Sequence, residues 1–308
     1  MKLLENEALQ EMVDYSFGDH SGVLGGVPNA YMKKANMANK EFVNKLIEVK
    51  QSSDTMTIFI DNIRLYRRPI EFSDWLHMKP VSDQDRQWLN QFEDEDLLNL
   101  CAHFPTMKFV IFTAFEDTPL DEHIKGRIPA NVVSINAANA VVFGGKIQPF
   151  PHGIERKMYP GYDHHVILRE MMNTHIAPDK LLFVAHRADT GNRASLGSLF
   201  KDKTWATVTH LPYEEYLTEM KRHKFVLCPP GNGIESARNW ETLYMRRVPI
   251  FLRHPYLQSM FKGFPALFVS KFEDVTEEML KRNDKMFEQA QTMSMDGLDL
   301  EKVFKSRI

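Results

Sequence analysis

Between Phe225 and Phe251 the chain reads FVLCPPGNGIESARNWETLYMRRVPIF, and its polar residues have the types and spacing that a phosphorylated ligand requires. Gly231-Asn232-Gly233 lets the backbone turn sharply and come close to another group. A helix is expected to begin just after it, near Glu235 or Ser236. Free backbone N–H groups then lie at the positive end of the helix dipole, an arrangement that suits a phosphate. Arg238 in the first turn offers a charge-assisted fork to phosphate oxygens, and Glu241 can accept from sugar hydroxyls. Together they describe a nucleotide-sugar site. Less specific readings exist for the same residues. Arg238 and Glu241, as i and i+3, also fit a surface ion pair of little energetic weight. Glu235 fits a residue that complements the helix dipole, and the glycines fit a tight turn.

The elements that would position these groups can be read on either side. Phe225–Cys228 is a short apolar run that stops at Pro229-Pro230, as a core strand does. Val248–Leu252 is a second such run. The unit is therefore strand, turn, amphipathic helix, strand. In this form it resembles the donor-site segment of GT-B glycosyltransferases of the exostosin-like type. The resemblance rests on Cys228, Pro229, Gly231 and Gly233, the pair Arg238 and Glu241, and Val248-Pro249-Ile250. Family members usually carry a small residue before the last strand, where this chain has Arg246-Arg247. Pro149-Phe150-Pro151-His152-Gly153-Ile154 also resembles the P-x-G-I segment with which such chains enter their second domain. The resemblance implies two Rossmann-like domains facing across a cleft, and an inverting transfer.

At 308 residues, with 43% hydrophobic and 26% charged residues, the composition is that of a globular enzyme long enough to bury a large core. Cys101 and Cys228 make no disulfide framework, which points to a reducing, cytoplasmic compartment. MKLLENEALQ has no secretory apolar region, and no run has the length that spans a bilayer. The net charge of −3 neither demands nor forbids a polyanionic partner. Local basic clusters stand at Arg64/Arg67/Arg68, at Lys221/Arg222/Lys224 and at Arg246/Arg247/Arg253. Each is read as a solvated face or as a phosphate-facing patch.

Strands and helices alternate through both halves, so an α/β protein with two parallel sheets is expected. Strands are expected at Glu11–Phe17, Thr57–Asp61, Lys108–Thr113 and Asn131–Ile135, with helices at Asn39–Lys50 and Asp83–Leu100. The second half offers strands at Leu181–Ala185, Ala206–Thr209, Phe225–Cys228, Val248–Leu252 and Ala266–Val269. Its helices are expected at Tyr213–Arg222, Ser236–Met245 and Thr276–Thr292. Glycines and prolines from Gly144 to Gly161 mark the boundary. Residues 1–148 are taken as an acceptor-side domain and 149–308 as the nucleotide-sugar-binding domain, with a C-terminal helix crossing back.

Further candidates lie at expected strand ends. Arg193, after the strand Leu181–Ala185, is a second phosphate candidate, with Arg187 behind it. Asp19 and His20, in the glycine-rich loop after the first strand, are candidates for the base that deprotonates an acceptor hydroxyl. Asp61, Glu116 and Asp117 are others, and each also fits a turn or cap role. Asp83-Gln84-Asp85 fits a helix-opening capping box better than a metal-binding D-x-D, and Asp94–Asp96 reads as a helical charge run. His164, His165 and His175 lack the spacing of a zinc site. No metal or other cofactor is expected.

The expectation is a metal-independent glycosyltransferase. Gly231, Asn232, Gly233, Arg238 and Arg193 hold the donor diphosphate, Glu241 orients a hydroxyl, and Asp19 or His20 acts as base. The acceptor is either a glycan or lipid-linked saccharide, or a hydroxymethylated base in DNA of the kind some phages modify. A nucleotide-sugar epimerase and a non-catalytic nucleotide-sugar-binding protein are the other classes compatible with the same segment.

Overall fold

The computed structural model describes residues 1–17, 42, 45–46, 48–60, 65, 96–113, 119–154, 164–186, 193, 195–231 and 233–308. The expectations for Asp19, His20, Asp61, Arg64/Arg67/Arg68, Asp83–Asp85, Glu116, Asp117, Arg187 and Asn232 lie outside them. The chain divides into two compact units. One comprises Asn6–Pro151 with Phe304–Ile308, and the other Met1–Glu5 with His152–Val303.

The first unit contains a parallel sheet of β1 (Tyr15–Ser16), β2 (Thr55–Phe59), β3 (Lys108–Thr113), β4 (Val132–Ala137) and β5 (Ile147–Pro149), side by side in chain order. Parallel strands covered on both faces read as continuous apolar runs, and β3 is buried from Phe109 to Thr113. Phe112 packs on Phe150 and Phe304 with ring centroids at 5.2 and 4.8 Å, which fastens the C-terminal residues into this core. Its described helices include α1 (Asn6–Gln10) and α2 (Leu97–Ala102).

Three expectations in this unit are corrected. The strand expected over Glu11–Phe17 spans only Tyr15–Ser16, because the Asp14 carboxylate takes the Thr57 N–H at 2.7 Å and its hydroxyl at 2.8 Å. Of the helix expected over Asp83–Leu100, the described residues begin at Asp96, which is not helical. That residue is extended (φ −63°, ψ 162°) and accepts from Asn99 N–H at 2.9 Å, so a helix starts at Leu97. The stretch expected as linker contains β5. Gly144 and Gly145, at φ 114° and 58°, form the turn that sends the chain back beside β4.

The second unit carries β6 (Lys180–Val184), β7 (Ala206–Val208), β8 (His223–Leu227), β9 (Val248–Leu252) and β10 (Leu267–Val269), all parallel, in the spatial order β10-β9-β8-β6-β7. Its helices are α3 (His164–Asn173), α4 (Leu196–Phe200), α5 (Tyr213–Lys221), α6 (Ala237–Tyr244), α7 (Pro255–Met260), α8 (Glu277–Arg282) and α9 (Asp284–Thr292). A last helix, α10 (Leu300–Lys305), ends the chain. Leu182, Val184, Phe225, Leu227, Val248 and Ile250 pave the core from three neighbouring strands. The expected strands agree within one or two residues. The helix expected over Thr276–Thr292 is two helices broken at Asn283, whose side chain turns back to Met279 O at 2.8 Å. The first five residues join this unit through Tyr244. Its hydroxyl accepts from Leu4 N–H at 2.8 Å and donates to Leu298 O at 2.7 Å.

Of the basic clusters of this unit, Lys221/Arg222/Lys224 and Arg246-Arg247 are engaged within the protein, whereas Arg253 is exposed. Arg246 adopts φ 57°, a left-handed conformation that favours glycine, and closes the end of α6. Its guanidinium donates to Gln291 O at 2.8 Å, beyond which α9 ends. Arg247 is 2% exposed and donates to the carbonyls of Lys221, Met245, Arg246 and Ile176. Lys221 donates to Met171 O at 2.5 Å and to Thr174 O at the end of α3. Arg222 pairs with Asp179 at 2.7 Å and Lys224 with Asp284 at 2.7 Å. The reading of Arg246-Arg247 as a basic contribution to a ligand cleft is therefore corrected: helix C-termini supply the partial negative charge that these cations meet.

Candidate functional site

In the second sheet, β6 leads to β7 on one side, whereas β8 leads to β9 on the other. The order of connection thus reverses between β6 and β8. In open parallel sheets, ligands occupy the crevice beyond the carboxyl ends of the strands at such a switch point. The residues beyond β6 and β8 include His186, Arg193 and the turn from Cys228 to Ser236, which feeds α6.

The turn is held from below by Arg193. This residue is 7% exposed, and its guanidinium donates to Pro230 O at 2.7 Å and Pro229 O at 3.0 Å. Gly231 N–H closes the turn on Gly233 O at 3.0 Å. A Cβ on Gly231 would stand 3.0 Å from the Arg193 guanidinium, so the absence of a side chain is what lets the strut reach the carbonyls. Arg193, expected on the donor phosphates, thus serves first as the support of the turn. Gly233 is buried in the same turn.

At the start of α6, Ser236 makes no side-chain cap bond, and the first turn has no acidic residue. Arg238 lies there instead, putting a cation at the positive end of the dipole, which is unfavourable without an anion nearby. The guanidinium carbon stands 5.8 Å from the centroid of the Tyr216 ring. Its Nε is sealed from solvent and meets no acceptor. A buried N–H on a cation is a costly group to leave unsatisfied.

Glu241, expected to orient a sugar hydroxyl, is 4% exposed and engaged within the protein. Its two oxygens accept from the Tyr213 hydroxyl at 2.9 Å and the Tyr216 hydroxyl at 3.0 Å. The Tyr213 ring in turn stacks on His164 at 3.6 Å. Glu241 therefore positions Tyr216, over whose ring Arg238 lies. The sequence reading did not single out Tyr213 and Tyr216. Their signal was two tyrosines at i and i+3 opening the helix after β7, a spacing that puts both on one face.

Two buried groups set the charge of the site. Cys228 is pushed up to about 11 by burial, so its thiol keeps its proton. Glu235, 1% exposed, is pushed up to about 8 by burial. Its carboxyl accepts from His152 N–H and from the Tyr256 hydroxyl at 3.3 Å. A neutral Glu235 leaves Arg193 and Arg238 opposed by Glu241 alone among these residues. It also makes stability depend on pH. Below the ordinary value of 4.5 both folded and unfolded states hold the proton. As pH rises from there to about 8, only the unfolded state releases it, so stability falls, and it levels off above. Urea unfolding from pH 5 to 9 should show this decline, and Glu235→Gln should flatten it.

Among the described residues, no group of His, Cys, Asp and Glu has the arrangement of a metal site, and no helix is long and apolar enough to cross a membrane. Fold and site together define an α/β protein with two parallel five-stranded sheets, the second carrying a cationic switch-point site. No protein-family model matches the chain, and no curated protein matches it significantly.

Proposed function

We propose that the second unit binds the diphosphate of a nucleotide-sugar and that the protein is a cytoplasmic, GT-B-type glycosyltransferase that inverts the anomeric centre. The observation that carries this reading is Arg238, a partly buried cation whose Nε is sealed from solvent and unsatisfied, at the start of a helix beyond the carboxyl end of β8. A diphosphate supplies the acceptor that the Arg238 Nε lacks, and adds negative charge to that of Glu241 against the two guanidiniums. As the bond from sugar to phosphate breaks, charge grows on the leaving diphosphate, where Arg238 and the helix dipole meet it. This balance requires no metal. A base then removes the acceptor proton, and Asp19 and His20 are the residues to test for that role.

For the acceptor we favour a glycan or lipid-linked saccharide over a DNA base. Arg246, Arg247, Lys221, Arg222 and Lys224, which would have served as DNA phosphate contacts, are engaged with carbonyls and carboxylates of the protein. The test is a panel of nucleotide-sugars, with release of the nucleotide followed alone, with saccharide acceptors and with hydroxymethylated DNA. Release that depends on a saccharide supports the proposal. Turnover of the donor without acceptor indicates an epimerase, and binding without turnover indicates a sensor.

A further inference from the structure

His186 stands immediately beyond the strand end at which β6 delivers the chain to the switch point. Its Nε2 lies 3.3 Å from Arg193 O, the contact of an N–H donating to a carbonyl. That assigns the proton of the neutral ring to Nε2 and leaves Nδ1 as a bare lone pair. Nδ1 is sealed from solvent and has no partner. The charged groups facing the ring are Arg238, from the start of α6, and Arg193, from the loop after β6. Both are cations, neither hydrogen-bonds to Nδ1, and their positive charge disfavours a second proton on the ring. A ring in this position is a poor proton acceptor until an anion enters.

We propose that His186 completes the anion site, taking a proton on Nδ1 when a phosphate group binds beside Arg238 and donating it as a hydrogen bond to a phosphate oxygen. The inference rests on the donor-site reading above and adds a proton to it: one proton comes from solvent for each diphosphate bound. Burial and the positive charge of Arg238 and Arg193 hold the free imidazole down at about 4, so that it is neutral at pH 7. A bound dianion offsets the guanidiniums and reverses that electrostatic effect. Binding is then linked to pH, and it weakens as pH rises past the value of the protonated complex.

Inorganic pyrophosphate and UDP serve as probes. Calorimetric titration at pH 7, in buffers of different ionisation enthalpy, should show uptake of close to one proton per ligand, and histidine NMR should show the His186 ring becoming protonated in the complex. His186→Gln should bind about tenfold more weakly at pH 7 and should lose the proton uptake. At pH 9 it should bind as the unsubstituted protein does. Equal binding by both proteins at every pH, with no proton uptake, overturns the role of His186 while leaving the donor site standing. Failure of the unsubstituted protein to bind pyrophosphate, UDP or any nucleotide-sugar overturns both.

Discussion

Arg238→Ala should lower the affinity for a nucleoside diphosphate about 100-fold, close to 3 kcal/mol, while leaving the ligand-free protein as stable as before to within about 1 kcal/mol. The two halves of this expectation have one cause. In the free protein the guanidinium sits against the positive end of α6 with its Nε unmet, and this offsets what its contact with the Tyr216 ring and the attraction of Glu241 contribute. In the complex the same group makes charge-assisted bonds to phosphate oxygens out of water, where such bonds are strongest. Arg238→Lys should recover only about tenfold of the loss, since a point charge lacks the planar fork. Titration calorimetry and thermal unfolding of the same variants read the two halves. A structural arginine would behave in the opposite way, with stability falling and affinity unmoved, and that result would remove the donor site from β8 and α6.

Arg247→Ala is expected to cost about 4 kcal/mol of stability, among the larger values for a single substitution. The side chain is 2% exposed and donates to the carbonyls of Lys221, Met245, Arg246 and Ile176. Each carbonyl left buried without a donor costs about 1–3 kcal/mol, and a cavity is added where the side chain was. Arg247→Lys should restore little, because one ammonium cannot reach carbonyls that a planar guanidinium spans. Burial already holds the Arg247 guanidinium down to about 10, a measure of how far it is removed from water. Urea unfolding followed by Trp240 and Trp205 fluorescence is the measurement. A loss under about 1 kcal/mol would show that water reaches these carbonyls and that the arginine is dispensable.

Much of the second unit was legible because its strands are short apolar runs between strong breakers, as at Phe225–Cys228 before Pro229-Pro230. Buried parallel strands announce themselves in this way. The first unit was less legible. The strand Tyr15–Ser16 is short because Asp14 reaches across to Thr57, a long-range contact that no local pattern reveals. The strand Ile147–Pro149 lies among glycines and prolines that read as linker. The break of the last long helix at Asn283 had no preceding proline or glycine to signal it.

The site divides along similar lines. Residue types and spacing along the chain determined that a turn with two glycines feeds a helix carrying Arg238 and Glu241, because strand, breaker and helix signals are all local. Only the tertiary structure decided what each cation and carboxylate faces. It turned Arg193 under the turn, set Glu241 against two tyrosines and left Arg238 without an acceptor for its Nε. It also folded Arg246 and Arg247 onto helix ends, where a linear reading had seen a basic patch. The physical reason is that a charged side chain is defined by its partners, and these partners stand many residues away in sequence, brought close by the order in which parallel strands assemble.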